Sequence, residues 1–105
     1  MKLISAVIRP KSVTRLASML RRSNVPGLTV IKAQGFGREL LAADVEMVGI
    51  LTEQAKIEIA VEDDDLDRVS KIIQEAAETG RQGDGIIFVW DLISVTRIES
   101  VGEND

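Results

Sequence analysis

The segment 79–91, TGRQGDGIIFVWD, carries the residue types that most directly suggest chemistry. It places three glycines and one aspartate within seven positions, directly before an apolar run. Glycines leave successive backbone N–H groups unshielded and Arg81 adds positive charge nearby, so the turn could form an anion-binding nest. The same residues could simply end a helix and reverse the chain. The pattern matches neither the G-x-x-x-x-G-K-[ST] phosphate loop nor the G-x-G-x-x-G dinucleotide motif, so both interpretations stay open.

The composition excludes most familiar catalytic sites. The 105 residues include no cysteine and no histidine, which rules out disulfides, thiolate or imidazole metal ligands, and Ser-His or Cys-His nucleophile pairs. Carboxylates and lysines stand in no recognisable catalytic arrangement, so we expect no enzyme activity. The cluster EDDDLD at 62–67 lacks the glycine and the distal glutamate of an EF-hand loop. We interpret it as a helix N-terminus whose acids complement the dipole and supply a cap, and we expect no metal site.

Charge and hydropathy limit the kinds of partner. The net charge is −4, and the absence of a dense basic stripe argues against nucleic acid or an anionic membrane as the main partner. Arg15, Arg21 and Arg22 of the first predicted helix are interpreted as a solvated helix face. The apolar stretch near the N-terminus is far shorter than the roughly 20 residues that span a bilayer. We therefore expect a cytoplasmic protein without direct membrane insertion.

The periodicity of apolar residues predicts one plan used twice, strand-helix-strand. Alternation and β-branched residues indicate strands, and apolar positions at i, i+3, i+4 and i+7 indicate helices. The predicted elements are a strand at 2–9 closed by Pro10, a helix from Ser12 as N-cap to before Pro26, a strand at 28–37, a strand at 55–61, a helix after the acidic cluster with Gly80 as its C′ residue, and a long strand at 86–98.

Two strand-helix-strand units in one short chain predict an α+β fold, the ferredoxin-like βαββαβ sandwich. This is a single domain, 1–105, with a four-stranded antiparallel sheet and two helices on one face. The last predicted strand has apolar residues on both faces. A monomer would expose one of those faces, so we expect a symmetric homo-oligomer.

The connection 38–54, RELLAADVEMVGILTEQ, is too long for an ordinary structureless loop. Its residues either extend the flanking strands or form a short packed helix, or they form a protruding loop that becomes ordered on contact with a partner protein. The apolar residues that would contact such a partner are Leu40, Leu41, Val45, Met47, Val48, Ile50 and Leu51.

The segment TGRQGDGIIFV closely resembles the TGxxGDGKIFV signature of the PII signal-transduction proteins. KLISAVIRP, PGLTVIKAQGFGR, KIEIAV and TRI are further matches, in the same order over almost the whole chain. The resemblance implies a homotrimer of ferredoxin-like subunits with long projecting loops. It also implies that adenine nucleotides bind in the clefts between subunits, and that the loops control a protein partner such as a transporter or a metabolic enzyme.

The resemblance also implies roles for individual residues. The phosphates would meet Gly83, Asp84 and Gly85, with Arg38 after the bend Gly35, Phe36 and Gly37. The purine and ribose would meet Gly27, Leu28, Thr29, Glu58 and Ala60. Arg97 would reach the phosphates from the neighbouring subunit. Glycine permits close backbone approach, and the arginine fork matches phosphate oxygens.

Several positions depart from the family pattern. Ile86 stands where the family has a phosphate-binding lysine, and Glu99 stands where it has a second basic residue. The loss of cations weakens binding of the most charged nucleotide most, so we expect ADP or AMP to be favoured over ATP. Glu39 and Gln54 replace the glutamine and lysine that serve magnesium and 2-oxoglutarate in the family, which argues against 2-oxoglutarate as effector.

The loop itself is about four residues shorter than in typical members, and it has no tyrosine or serine to accept a covalent modification.

Three functions remain open. The chain could be a signalling trimer that binds an adenine nucleotide, a docking protein of the same fold that has lost that site, or a sensor of another small anion such as bicarbonate.

Overall fold

The computed structural model describes residues 1–35 and 51–99. Strand β1 is Lys2–Ile8, β2 is Thr29–Gly35, β3 is Thr52–Val61 and β4 is Gly85–Asp91, while helix α1 is Val13–Arg22 and α2 is Leu66–Ala77. A single 3-10 turn precedes each helix, at Pro10–Ser12 and Asp63–Asp65. The strands form one antiparallel sheet in the order β2-β3-β1-β4. The structure confirms the predicted ferredoxin-like sandwich.

The core lies between the helices and one face of the sheet. In β3 the alternation is as predicted, because Ile57, Ile59 and Val61 are buried while the residues between them are not. Their neighbours Ile4 and Ala6 on the central strand β1 are fully buried. The helices complete this layer with Leu16, Leu20, Val69, Ile72, Ile73, Ala76 and Ala77.

The opposite face of the sheet, called here the open face, is not covered by any described helix or strand. Residues directly opposite one another in an antiparallel pair share a face, so the register places Leu3, Ser5 and Val7 on this side with their partners in β3 and β4. Phe88 and Trp90 are about half exposed there, and their rings lie 6.1 Å apart between centroids. The open face therefore has the apolar surface that the sequence predicted a second copy would bury.

The last strand is shorter than predicted. It ends at Asp91 instead of residue 98, and the final backbone hydrogen bond on this edge runs from the Leu92 N–H to the Met1 carbonyl. The cause is the length of β1, which begins at Lys2 and leaves no strand for later residues to pair with. Ile93 and Ile98 consequently stand fully exposed.

The predicted ends of the helices also need correction. Gly80 is not the C′ residue of α2, because the helix ends at Ala77 and Glu78 is already extended. Ser12 and Asp65 hold the N-cap positions, but neither side chain makes a capping hydrogen bond. Asp65 instead contacts Arg68 at 3.3 Å. Strand β3 begins three residues before its predicted start, at Thr52.

Candidate functional site

The turn between α2 and β4 is organised by the carboxylate of Asp84. Its Oδ2 accepts hydrogen bonds from the backbone N–H of Thr79 at 2.7 Å and of Gly80 at 3.2 Å, and its Oδ1 accepts one from the Thr79 hydroxyl. Two consecutive N–H groups at the start of the turn are thus occupied by an anion from the chain itself. An external phosphate at this turn would have to use other groups than these two N–H donors.

Arg9, which the sequence analysis did not single out, fastens this turn to β1. Its guanidinium donates to the Gln82 carbonyl at 2.7 Å and lies 3.6 Å from Asp84 Oδ1. The side chain is only 15% exposed, and its Nε is buried without a hydrogen-bond partner in the described parts of the chain. The predicted fold class could have indicated the role of Arg9, because β1 and β4 run antiparallel and the end of β1 lies beside the start of β4.

Asp84 is held in its ionised form by these contacts. Burial raises the pKa of its carboxyl, but the hydrogen bonds from Thr79 and Gly80 and the charge of Arg9 together outweigh burial, so the pKa lies below its ordinary value. A protonated Asp84 would lose acceptor capacity toward three donors and its attraction to Arg9. The geometry of the turn therefore depends on this negative charge.

The glycines of the turn are required by the backbone. Gly80 and Gly83 have φ of 83° and 85°, a region that favours glycine. Gly85 has φ of 142°, and a Cβ there would lie 2.3 Å from the Val7 carbonyl oxygen. The interpretation of the segment as a chain reversal is thus supported, and the glycines alone do not prove a phosphate site.

A cavity of about 360 Å³ lies behind the turn, on the helix side of the sheet. Apolar side chains including Ile8, Ile73 and Ile87 line it, together with the acids Glu78 and Asp84. Carboxylates disfavour a phosphate in this cavity, and the other side of the turn is the open face. The structure places Ile86 on that face opposite Val7, where the family lysine would otherwise stand.

The residues predicted for the purine and ribose form a separate group. Thr29 and Glu58 are direct partners in the β2–β3 register, and Ala60 follows on the same face of β3. Gly27 and Leu28 lead into β2. Arg97 and Ala60 line the same cavity of about 200 Å³, and neither lines the cavity behind the turn, so this arginine lies near one member of the predicted purine group of its own chain.

One copy of the chain does not bring the two groups together. Gly85 pairs with Ile8, which pairs with Ala55, and Ala55 pairs with Lys32 of β2, three residues from Thr29. With strands about 4.8 Å apart and a rise of about 3.3 Å per residue, Gly85 and Thr29 are about 17 Å apart. Within one copy, the two groups of predicted residues therefore lie toward different edges of the sheet.

The remaining predicted residues lie at the end of β2 or beyond it. Gly35 is the last residue of β2, on the edge strand farthest from the turn, and its carbonyl accepts a hydrogen bond from the Thr52 hydroxyl at 3.0 Å. Leu51 is 52% exposed. Phe36, Gly37, Arg38, Leu40, Leu41, Val45, Met47, Val48 and Ile50 lie outside the described residues.

The fold and the glycine turn define a small ferredoxin-like domain whose candidate site is divided between two edges of one sheet. Residues 1–101 match the family described as "Nitrogen regulatory protein P-II", and the chain belongs to this family. It is similar to the nitrogen regulatory protein GlnK of Escherichia coli strain K12, with 38% identity over 109 positions that cover 100% of this chain and 96% of the relative.

Two further relatives match this chain with similar identity and coverage. The nitrogen regulatory protein P-II of Azospirillum brasilense is 38% identical, and that of Porphyra purpurea is 37% identical; each alignment covers 95% of this chain and 93% of the relative. The alignment with the Escherichia coli protein has four positions more than the 105 residues of this chain, so at least four residues of that relative have no counterpart here. The helices in the described part of the chain are too short or too polar to cross a membrane.

Proposed function

We propose that this member of the P-II family of regulatory signalling proteins binds an adenine nucleotide between copies and passes the bound state to a protein partner through the connection 38–54. The proposal includes a homotrimer, a cytoplasmic location and no catalytic activity. The partner would be a transporter or a metabolic enzyme, not a nucleic acid. The relatives carry names of nitrogen regulators, and the process that this chain regulates is left open.

The observation that carries the proposal is the division of the candidate site. The turn 79–85 and the group formed by Thr29, Glu58 and Ala60 are about 17 Å apart within one copy, and the cavities beside them are separate. A second copy that docks its β2–β3 edge near the turn of the first would combine two halves that neither copy combines alone. Arg97 would enter with the purine group, because it shares a cavity with Ala60.

The open face supports assembly independently of any ligand. Ile31, Phe88 and Trp90 are each between 41% and 48% exposed, and the two aromatic rings contact each other. Burying this surface against other copies is favourable by about 25 cal/mol per Å² of apolar area. The same contact would bring strand edges of different copies together, as the divided site requires.

The charges near the turn set the expected nucleotide preference. Arg9 is already engaged by Gln82 and Asp84, and Ile86 contributes no cation on the open face. Among the described residues of the turn, Arg81, which donates to the neutral Thr79 hydroxyl at 3.5 Å, is then the one cation left for a triphosphate. We therefore expect ADP or AMP to bind at least as well as ATP.

Calorimetric titration of the assembled protein with ATP, ADP and AMP tests the proposal. We expect binding of ADP or AMP, and about a tenfold loss in Arg97→Gln, because a charge-assisted contact to phosphate is removed. Lys71→Gln, an exposed substitution on α2 that removes the same charge, serves as control and should bind like the original protein. In Ile86→Lys, affinity for ATP should rise more than affinity for AMP.

The absence of heat with all three nucleotides, at concentrations that detect micromolar binding, would contradict nucleotide binding. One observation favours the alternative of a docking protein without that site: Asp84 already occupies the N–H groups of Thr79 and Gly80. That alternative predicts a stable oligomer that binds its partner equally with and without nucleotide. A sensor of another anion, such as bicarbonate, would instead show a rise in melting temperature with that anion alone.

A further inference from the structure

The charges of this chain are strongly segregated along the sequence. Residues 1–38 contain eight lysines and arginines and no acid, while residues 39–105 contain all seventeen acids and only five basic residues. The net charge of −4 is small and does not reveal this separation of basic and acidic residues. Helix α1 comes from the first part and α2 from the second, and the two helices lie together on one side of the sheet.

The cations of the first helix lie along one line. Arg15, Ser18 and Arg22 of α1 are spaced by three and four residues, which places them on one side of a helix with 3.6 residues per turn, and Lys11 lies in the 3-10 turn just before α1. Leu16 and Leu20, the buried residues of α1, lie on the opposite side. Arg21 is exposed next to this line. We call Lys11, Arg15, Arg21 and Arg22 the basic strip.

The basic strip is not neutralised by its own chain. Within residues 1–35 and 51–99, none of its four members forms an ion pair. Arg22 donates one hydrogen bond to the Ser18 hydroxyl, a neutral group on the same line. The strip also lies on the helix layer, away from the open face, so assembly through the open face leaves it accessible.

The surroundings of the strip determine what kind of anion fits it. Helix α2 lies beside α1, and Asp64, Asp67 and Glu75 are exposed on or just before it. The exposed cations of α2 are Arg68, which pairs with Asp65, and Lys71, so within the described residues these three acids face one unpaired cation. Packed helices are about 8–10 Å apart, which is close to the Debye length of about 10 Å in 0.1 M salt. A broad anionic surface such as a membrane or a nucleic-acid duplex would contact the basic strip and be repelled by these acids at the same time. A single polypeptide segment is narrow enough to follow α1 alone.

We propose that the basic strip is a docking surface for an acidic segment of a partner protein. The surface is independent of the nucleotide site and of the connection 38–54. It gives the partner a second point of attachment on the outer side of the assembly. Because the strip carries no exposed large apolar side chain, the contact is electrostatic and weakens with salt.

Fluorescence anisotropy with a labelled glutamate-rich peptide tests the proposal on the full chain. At about 50 mM salt we expect binding that falls strongly at about 300 mM salt. The double variant Arg15→Gln, Arg22→Gln should lose about tenfold in affinity. The matched control Lys32→Gln, Lys71→Gln removes the same charge from exposed positions elsewhere and should change affinity by less than about twofold.

Three results would overturn the proposal. The first is no binding of the peptide at low salt. The second is an equal loss in the two double variants, which would mean that only the total charge matters. The third is tighter, strip-dependent binding to phosphatidylserine vesicles or duplex DNA than to the peptide, which would mean that the surface accepts a broad anion. Circular dichroism and the melting temperature of each variant verify that the helix is intact.

Discussion

The two turns that lead from a helix into a strand are closed in different ways. After α1, the backbone closes the turn: the Val25 N–H bonds to the Leu20 carbonyl at 3.0 Å and the Asn24 N–H to the Arg21 carbonyl at 3.1 Å. Asn24 has φ of 63°, so this end is a Schellman motif with asparagine at C′. After α2, the side chain of Asp84 holds the turn, and Arg9 from another strand supports it.

This difference shows which turn can respond to its surroundings. The first turn is closed by backbone groups within six residues of one another, and Arg68 of α2 adds one hydrogen bond from outside it, to the Ser23 carbonyl at 2.8 Å. The second combines a carboxylate, a hydroxyl and three glycines within residues 79–85 with the guanidinium of Arg9, 73 positions before the Gln82 carbonyl that it contacts. A ligand or a pH change that acts on any of these groups can alter the second turn and leave the first intact.

The largest effect should come from a methyl group at the point where the second turn meets β1. In Gly85→Ala the new Cβ would lie 2.3 Å from the Val7 carbonyl oxygen at a φ of 142°, so we expect a loss of at least about 3 kcal/mol of folding free energy. Urea unfolding at a fixed protein concentration measures it.

Gly27→Ala before β2 is the matched control, because no atom lies within 4 Å of its Cβ position. It should change stability by less than about 0.5 kcal/mol. Equal losses in the two glycine variants would mean that the contact with Val7 is not the cause.

An intermediate effect is expected from removing the charge that holds the second turn. Asp84→Asn retains the shape but puts an amide near Arg9 and the Thr79 donors, so we expect a loss of about 1–2 kcal/mol near neutral pH. Asp91→Asn, at an 83% exposed side chain paired with Lys2, should have little effect.

The effect of Asp84 should also depend on pH. Its folded-state pKa is lowered, so its stabilisation is complete above the unfolded value of about 3.9 and is lost as the pH falls through the lower folded pKa. Urea midpoints between about pH 3 and pH 7 should therefore converge for the original protein and Asp84→Asn at the acidic end. A difference that stays constant over this range would contradict the assignment.

The smallest effect belongs to the first turn. Asn24→Gly places the preferred residue at a C′ position with positive φ, and we expect a gain of about 0.5 kcal/mol without a change in nucleotide affinity. The thermal midpoint and the calorimetric titration are both needed here. A change in nucleotide affinity would show that the two turns are coupled, and it would contradict the conclusion that the second turn can change while the first stays intact.

Local patterns in the sequence were sufficient for most of the fold, and distant contacts account for the errors. The alternation of Ile57 and Ile59 is a property of one strand, and it predicted their burial correctly. The sequence predicts Gly80 at the end of α2 because glycine is common at C′. The helix ends earlier, at Ala77, and the N–H groups of Thr79 and Gly80 bond to the carboxylate of Asp84 instead. The last strand was predicted too long because its end is determined by where β1 begins.

The candidate site shows the same limit. The residues of the turn and of the purine group could be named from the motif, but their separation within one copy follows from strand order and register, which no single segment contains. Arg9 was missed because its role depends on the neighbouring ends of β1 and β4. The sequence predicts a solvated face for Arg15, Arg21 and Arg22, because their lack of ion pairs within the described residues is visible only in three dimensions.

The position of β1 in the sheet has a consequence for how the chain folds. Strand β1 is a central strand, flanked by β3 and β4, and the contact between Lys2 and Asp91 joins residues 89 positions apart. Until β4 is available, one edge of β1 has unpaired backbone groups and can join other chains. Contacts between residues this distant in sequence slow folding. A nascent chain that ends before Gly85 should therefore bind chaperones or aggregate through the unpaired edge of β1.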